Sequence, residues 1–200
     1  MPVDALILLD TNIILQLVRN NIMSQQLESD YRLISSPNGK LISYVTVGEI
    51  YALSLKFGWG EEKIARLNEI LDALVIIDIN KPNVVDNYAR INYFSEKVMK
   101  PARPMGQNDI WIAATAKTLS AWFMTTDNDF DHLHPKYLQR ILISCEFFLF
   151  VVLIDKGRVT KYLTINFRVF CHKRKGNHKG LPLHTIPKRR GNPLWLPWGN

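Results

Sequence analysis

The sequence predicts an α/β fold in which helices pack on a mainly parallel sheet. Three observations predict it. Short apolar runs stand where buried parallel strands would lie, segments with apolar residues at helical spacing stand between them, and the two kinds alternate along the chain. Ala5–Leu9 (ALILL) is a wholly apolar run ending at Asp10, the pattern of a central strand. From Asn12 to Arg19, Ile13, Ile14, Leu17 and Val18 share one helical face. Leu41–Tyr44 (LISY) reads as a second strand, followed by a helix from about Val47 to Phe57 that Gly58 and Gly60 terminate. Glu61–Leu74 repeats Ile64, Leu67, Leu71 and Leu74 at helical spacing, and Val75–Asp78 (VIID) follows as a third strand. Pro82–Met99 is a helix with proline in its first turn, and Lys100–Gly106 (KPARPMG) is a loop. The alanine-rich Asp109–Leu119 is a helix, Ala121–Thr126 a fourth strand and Leu138–Ile143 a candidate fifth.

The character of the chain changes near residue 144, which gives an α/β domain over 1–143 and a C-terminal extension over 144–200. Phe147–Ile154 is densely apolar, Lys156–Phe170 is mixed, and His172–Asn200 is rich in Lys, Arg, Pro and Gly without periodicity. The last stretch reads as a weakly ordered tail. Charge divides in the same way. Residues 155–200 hold eleven Lys/Arg against one acid, or +10, whereas the preceding 154 residues hold fourteen basic against seventeen acidic, or −3. Such a tail would either bind phosphates through counterion release or stay solvated.

Composition excludes several classes. With 47% hydrophobic and 22% charged residues the chain is globular. The apolar run Ile141–Ile154, broken by Glu146, is shorter than the ~20 residues of a membrane span. The opening MPVDALILLD has no basic leader, and Cys145 and Cys171 form no paired motif. A reducing, cytoplasmic setting without membrane attachment is expected.

Four acids occupy special places on this map. Asp10 ends the first strand, Glu49 opens the helix after the second, Asp109 opens the alanine-rich helix, and Asp127 follows the fourth strand. In an open parallel sheet the carboxyl ends of the strands line the ligand-binding edge. Carboxylates gathered there repel one another unless a cation neutralises them, and an all-oxygen donor set suits Mg²⁺ or Mn²⁺. Each acid also has a structural reading. Asp10 would cap the following helix, Thr46-Val47-Gly48-Glu49 matches a capping box, Asn108-Asp109 looks like an N-cap and a first-turn acid, and Asp127 suits an Asx turn. Capping does not require four acids converging on one sheet edge, so together they point to a metal-dependent phosphodiesterase.

The same residues resemble the motifs of the PIN-domain family. LILLDTNIIL (Leu6–Leu15) is similar to the family's opening, ISYVTVGEI (Ile42–Ile50) to its second motif, GQNDIWIAATA (Gly106–Ala116) to its third, and FMTTDNDF (Phe123–Phe130), with Thr-x-Asp then an acid and Phe, to its fourth. All four stand in the family's order over about residues 3–143. The resemblance implies a three-layer α/β/α fold and Mg²⁺-dependent endonucleolytic cleavage of RNA, with Mn²⁺ as a substitute. It further implies a VapC-like toxin of a toxin–antitoxin pair, commonly a homodimer silenced by a cognate antitoxin. Asp10, Glu49, Asp109 and Asp127 match its metal-binding acids, with Asp129 a second candidate at the fourth position. Glu49 would hold a second ion or position the attacking water. Thr11, Asn12 and Thr126 match the polar residues that support the acids, the hydroxyl of Thr11 or Thr126 holding a carboxylate. Arg103 and Lys100, in the loop before Asp109, are candidates for holding RNA.

Rival readings fare less well. A non-catalytic RNA-binding or interaction module of the same fold would need a broken acidic set, and all four positions are filled. A haloacid-dehalogenase-type phosphatase needs Asp-x-Asp where this chain has Asp10-Thr11-Asn12. His132 and His134 lack further soft ligands nearby and read as loop histidines.

Overall fold

The computed structural model describes residues 5–36, 38–144, 146–155 and 158–168. Its elements in order are β1 (Ile7–Leu9), α1 (Thr11–Arg19), α2 (Ile22–Tyr31), β2 (Lys40–Ser43), α3 (Tyr44–Lys56), α4 (Glu61–Asp72), β3 (Val75–Ile77), α5 (Pro82–Tyr93), α6 (Gln107–Thr118), β4 (Trp122–Thr125), β5 (Gln139–Leu142), β6 (Glu146–Asp155) and β7 (Arg158–Arg168). The first five strands form one parallel sheet in the order β3-β2-β1-β4-β5. β1 is central and pairs Leu8 with Leu41 of β2 on one side and Phe123 of β4 on the other. The chain leaves β1 toward β2 and returns from β3 to β4, so the strand order reverses between β1 and β4. Such a reversal opens a crevice at the carboxyl ends of the strands.

Strand alternation divides the core into two layers. Ile7, Leu9, Ile42 and Met124 pack against Ile13, Ile14 and Leu17 of α1, Val47 and Ile50 of α3, and Leu67, Ile70 and Leu71 of α4. Leu8, Leu41 and Phe123 face the other way, against Val84 and Ile91 of α5 and Ile110, Ile112 and Ala113 of α6. The result is the expected three-layer α/β/α arrangement. Because β1 and β4 are covered on both faces, their sequences are continuously apolar rather than alternating. α6 is buried over most of its circumference, from Ile110 through Ala116, and its alanines let it sit close to its neighbours.

Several boundaries differ from the sequence reading. α2 was not foreseen; only Ser24 and Leu27 of it are buried, so it lacks the apolar stripe that announces a helix. Its start is nonetheless marked by Asn21, whose side chain accepts from the Ser24 N–H at 3.1 Å. α5 ends at Tyr93 and passes into a π turn over Phe94–Val98, which closes the expected Pro82–Met99 helix. A 3-10 segment, Asn128–Leu133, follows β4 and drives Phe130 and Leu133 into the second core layer. The expected fifth strand is β5.

In the extension, the apolar stretch forms β6, which pairs antiparallel with β7 from Glu146↔Arg168 to Asp155↔Arg158 as a separate two-stranded sheet. The weakly ordered tail expected over His172–Asn200 lies outside the described residues. Among the described residues, no helix is long and apolar enough to cross a membrane.

Candidate active site

The four acids arise from four different elements at the carboxyl edge of the sheet. Asp10 is the residue after β1 and the N-cap of α1, and its carboxylate accepts from the Thr11 N–H at 2.8 Å. Its backbone N–H continues the ladder to the Met124 carbonyl at 3.0 Å, which fixes the start of α1 against the end of β4. The side chain is only 4% exposed, so each oxygen needs a partner. Oδ2 accepts from the Thr125 hydroxyl at 2.6 Å and from the Asn12 amide at 2.7 Å. The Asn12 amide also donates to the Thr125 hydroxyl at 3.2 Å, and Asn12 Oδ1 accepts from the Thr126 N–H. A closed polar network thus joins the ends of β1 and β4 beneath the crevice.

Burial pushes the Asp10 carboxyl up to about 7. The hydrogen bonds from Thr125 and Thr11 oppose this rise, and the charges of Asp109 and Asp127 add to it. Of the two candidates at the fourth position, Asp127 is part-buried and its charge raises Asp10, whereas Asp129 is exposed and its charge raises His132.

Asp127 makes the Asx turn expected of it, Oδ1 accepting from the Asp129 N–H at 2.9 Å. Its own N–H donates to the Thr125 hydroxyl at 2.9 Å. Thr125 therefore takes the supporting place assigned to Thr126, whose contribution is its backbone N–H to Asn12. The end of β4 explains the correction: Thr125 is its last residue and fully buried, whereas Thr126 lies just beyond the strand and is part-exposed. The signal was available, since Thr125 is the threonine of the Thr-x-Asp pattern that ends at Asp127.

Glu49 departs from the capping-box reading. α3 opens at Tyr44 with Ser43 as its cap, so Glu49 lies in the second turn. Thr46 is buried in the helix, and its hydroxyl has no hydrogen-bond partner. The Glu49 carboxylate instead accepts from the Thr11 hydroxyl on Oε2 and from the Asn108 amide on Oε1, the latter at 2.8 Å. These donors belong to the first turns of α1 and α6. The N-terminal turns of two helices, α1 and α6, therefore meet at Glu49, and their partial positive charge favours carboxylates and phosphates there.

Asp109 is in the first turn of α6. The cap of that helix is Gly106, not Asn108, and it makes no side-chain capping bond. Gly106 has an ordinary extended backbone, yet a Cβ built on it would lie 2.9 Å from Asp109 Oδ2. The missing side chain is what makes room for the Asp109 carboxylate.

Lys100 and Arg103 are both exposed, in the loop that leads into α6. The Arg103 N–H donates to the Ser95 carbonyl at 2.8 Å, and its positive charge depresses the pKa of His132, together with the larger effect of burial. The His132 ring bonds the Ser95 hydroxyl at 2.9 Å, so this histidine serves packing rather than ligation.

The donor set is all carboxylate and hydroxyl oxygen, which fits a hard divalent cation, and the charge that raises Asp10 is charge that a cation would neutralise. In the side-chain conformations present, no three acidic, His or Cys groups among the described residues are placed to hold one ion.

Comparison with known proteins agrees with this geometry. Residues 7–134 match the family model described as PIN domain. Ribonuclease VapC1 of Haemophilus influenzae (strain R2866) is 30% identical over 124 residues, 59% of this chain and 84% of that protein. Among solved structures, VapBC2 from Rickettsia felis, bound to a DNA fragment from its promoter, superposes with a TM-score of 0.58 at 21% identity. It covers 68% of this chain and 98% of that one. VapBC-1 from nontypeable Haemophilus influenzae gives a TM-score of 0.51 at 24% identity, over 68% and 97% of the two chains. The structural likenesses carry the fold, and the family match spans well over half the chain: the protein belongs to the PIN domain family.

Proposed function

We propose that this protein is a metal-dependent endoribonuclease and the toxin member of a toxin–antitoxin pair, acting on RNA in the cytoplasm. The observation that carries the reading is the hydrogen-bonded arrangement at the sheet's carboxyl edge: Thr125 joins Asp10 to the Asp127 backbone, and Thr11 and Asn108, the neighbours of Asp10 and Asp109, both hold Glu49. The similarity to a ribonuclease named VapC1 supports RNA as substrate. The likeness to VapBC2 supports a VapB-like antitoxin as partner; a homodimer as the working unit rests on the motif resemblance alone.

Asp10, Asp109 and Asp127 would hold Mg²⁺ or Mn²⁺, with Glu49 on a second ion or on water and Asp129 the alternative at the fourth position. The cation, when bound, would neutralise charge on the phosphodiester and acidify water. The chain's own residues do the rest. Thr125 and Asn12 keep Asp10 in one rotamer, and the Thr125 bond opposes the rise in its proton affinity that burial causes. The helix N-termini around Glu49 favour a phosphate group in the crevice. Lys100 and Arg103 would draw the RNA backbone toward the loop before Asp109.

The deciding experiment treats total RNA with wild type and with Asp10→Asn, in Mg²⁺ and in EDTA. Discrete fragments that depend on both the metal and Asp10 establish the nuclease. Intact RNA after incubation with folded wild type would refute it.

A further inference from the structure

We propose that Asn108 is a positioning residue that orients the Glu49 carboxylate, an inference that rests on the nuclease reading above. Asn108 is the second residue of α6, past the N-cap position at Gly106, so its side chain does not stand where a capping residue does. It reaches across 59 positions of sequence to donate to Glu49 Oε1 at 2.8 Å. The other oxygen accepts from the Thr11 hydroxyl. One donor on each oxygen fixes the plane of the carboxylate and leaves a lone pair on each for a cation or water.

The chain neighbours of the two donors matter. Thr11 follows Asp10, and Asn108 precedes Asp109. Glu49 is thereby tied to the two backbone segments that carry the other acids, and any shift of α6 relative to α1 is transmitted to all three. Asn108 itself is exposed. An exposed amide–carboxylate bond adds little to folding, so its loss should disturb the site without unfolding the domain. The capping pattern Thr46-x-x-Glu49 hid this role, because the residues that hold Glu49 come from two distant helix starts.

The test is a double-mutant cycle with Asn108→Ala and Glu49→Ala, read by RNA cleavage at saturating Mg²⁺. Asn108→Ala alone should lower kcat about tenfold or more, as loss of orientation does, with KM for RNA and Tm close to wild type. In the Glu49→Ala background it should cost nothing further. Asn108→Gln, which keeps the amide donor, should recover part of kcat, and Asn108→Asp should not. The proposal is overturned if Asn108→Ala keeps full kcat, if it multiplies the Glu49→Ala loss, or if it raises KM alone. A second readout is independent of activity. The Asn108 side-chain amide resonances, identified by their disappearance in Asn108→Ala, should move on Glu49→Ala. Wild type that cleaves no RNA would remove the nuclease reading, while the amide shift still decides the contact: resonances that move support the positioning, and resonances that stay put refute it.

Discussion

The Thr125 hydroxyl donates to Asp10 Oδ2 at 2.6 Å while accepting the Asp127 N–H at 2.9 Å, so one buried group is bonded to two acids of the crevice. Its bond to Asp10 opposes the effect of burial on that carboxyl. Thr125→Val keeps the shape but removes the donor and the acceptor. It leaves the Asp127 N–H without this partner, which costs about 1–3 kcal/mol where the group is buried. We expect a lower Tm, a higher Asp10 pKa and RNA cleavage reduced at least tenfold. Thr125→Ser, which restores the hydroxyl, should recover most of both. Thermal melts and cleavage rates on the two variants check this.

The Asp10 carboxyl sets a pH dependence whose sign is fixed. Its folded-state pKa, about 7, lies above the unfolded value near 3.8. Below the lower value both states are protonated and folding bears no penalty. Between the two, the unfolded chain ionises while the folded one resists, so stability falls as pH rises, by about 4 kcal/mol at most when both values are passed. Metal-free wild type should therefore be less stable at pH 8 than at pH 5. Asp10→Asn should remove most of that slope. Mg²⁺ added at pH 8 should raise Tm in wild type and leave Asp10→Asn nearly unchanged. Denaturant midpoints across pH, with and without Mg²⁺, measure all three.

The parts of this protein that follow from local chemistry were readable along the chain. β1 and β4 announced themselves because strands covered on both faces are wholly apolar, and α1 and α4 because one face of each is buried. α2 did not, since its exposed Ile22 and few buried residues make no stripe. The candidate acids stood out because they follow strands or stand near helix starts. Their partners were less visible. Thr46 and Glu49 satisfy a capping pattern in sequence, yet Glu49 is taken by Thr11 and Asn108, which only the tertiary fold brings near. Choosing between Thr125 and Thr126 depended on where β4 ends: Thr125 is its last, fully buried residue and reaches Asp10, and Thr126 lies beyond it.

Phe130 tests whether the segment after β4 matters for Asp127. It is 1% exposed and meets the Phe123 ring edge-on, with centroids 4.7 Å apart. This contact pins the 3-10 segment three residues beyond Asp127. Phe130→Ala should cost about 3–5 kcal/mol, the range for emptying a buried aromatic site. Phe130→Leu should recover most of that stability but, lacking the edge-on ring contact, less of the activity. Chemical denaturation paired with cleavage assays separates the two effects.

Gly106→Ala separates stability from function most directly. The backbone at Gly106 has φ −61° and ψ 143°, which any residue adopts, so alanine gives up only the N-cap preference for glycine, about 1 kcal/mol or less. Its Cβ would stand 2.9 Å from Asp109 Oδ2, and the flexible carboxylate would swing aside at little energetic cost. The fold should tolerate the change, with Tm within a few degrees of wild type. The site should not, because Asp109 would no longer point where Asp10 and Asp127 face it. We expect weaker Mg²⁺ dependence and at least a tenfold loss of cleavage at normal stability. A variant that is stable and fully active would show that the present orientation of Asp109 is not the one used in catalysis.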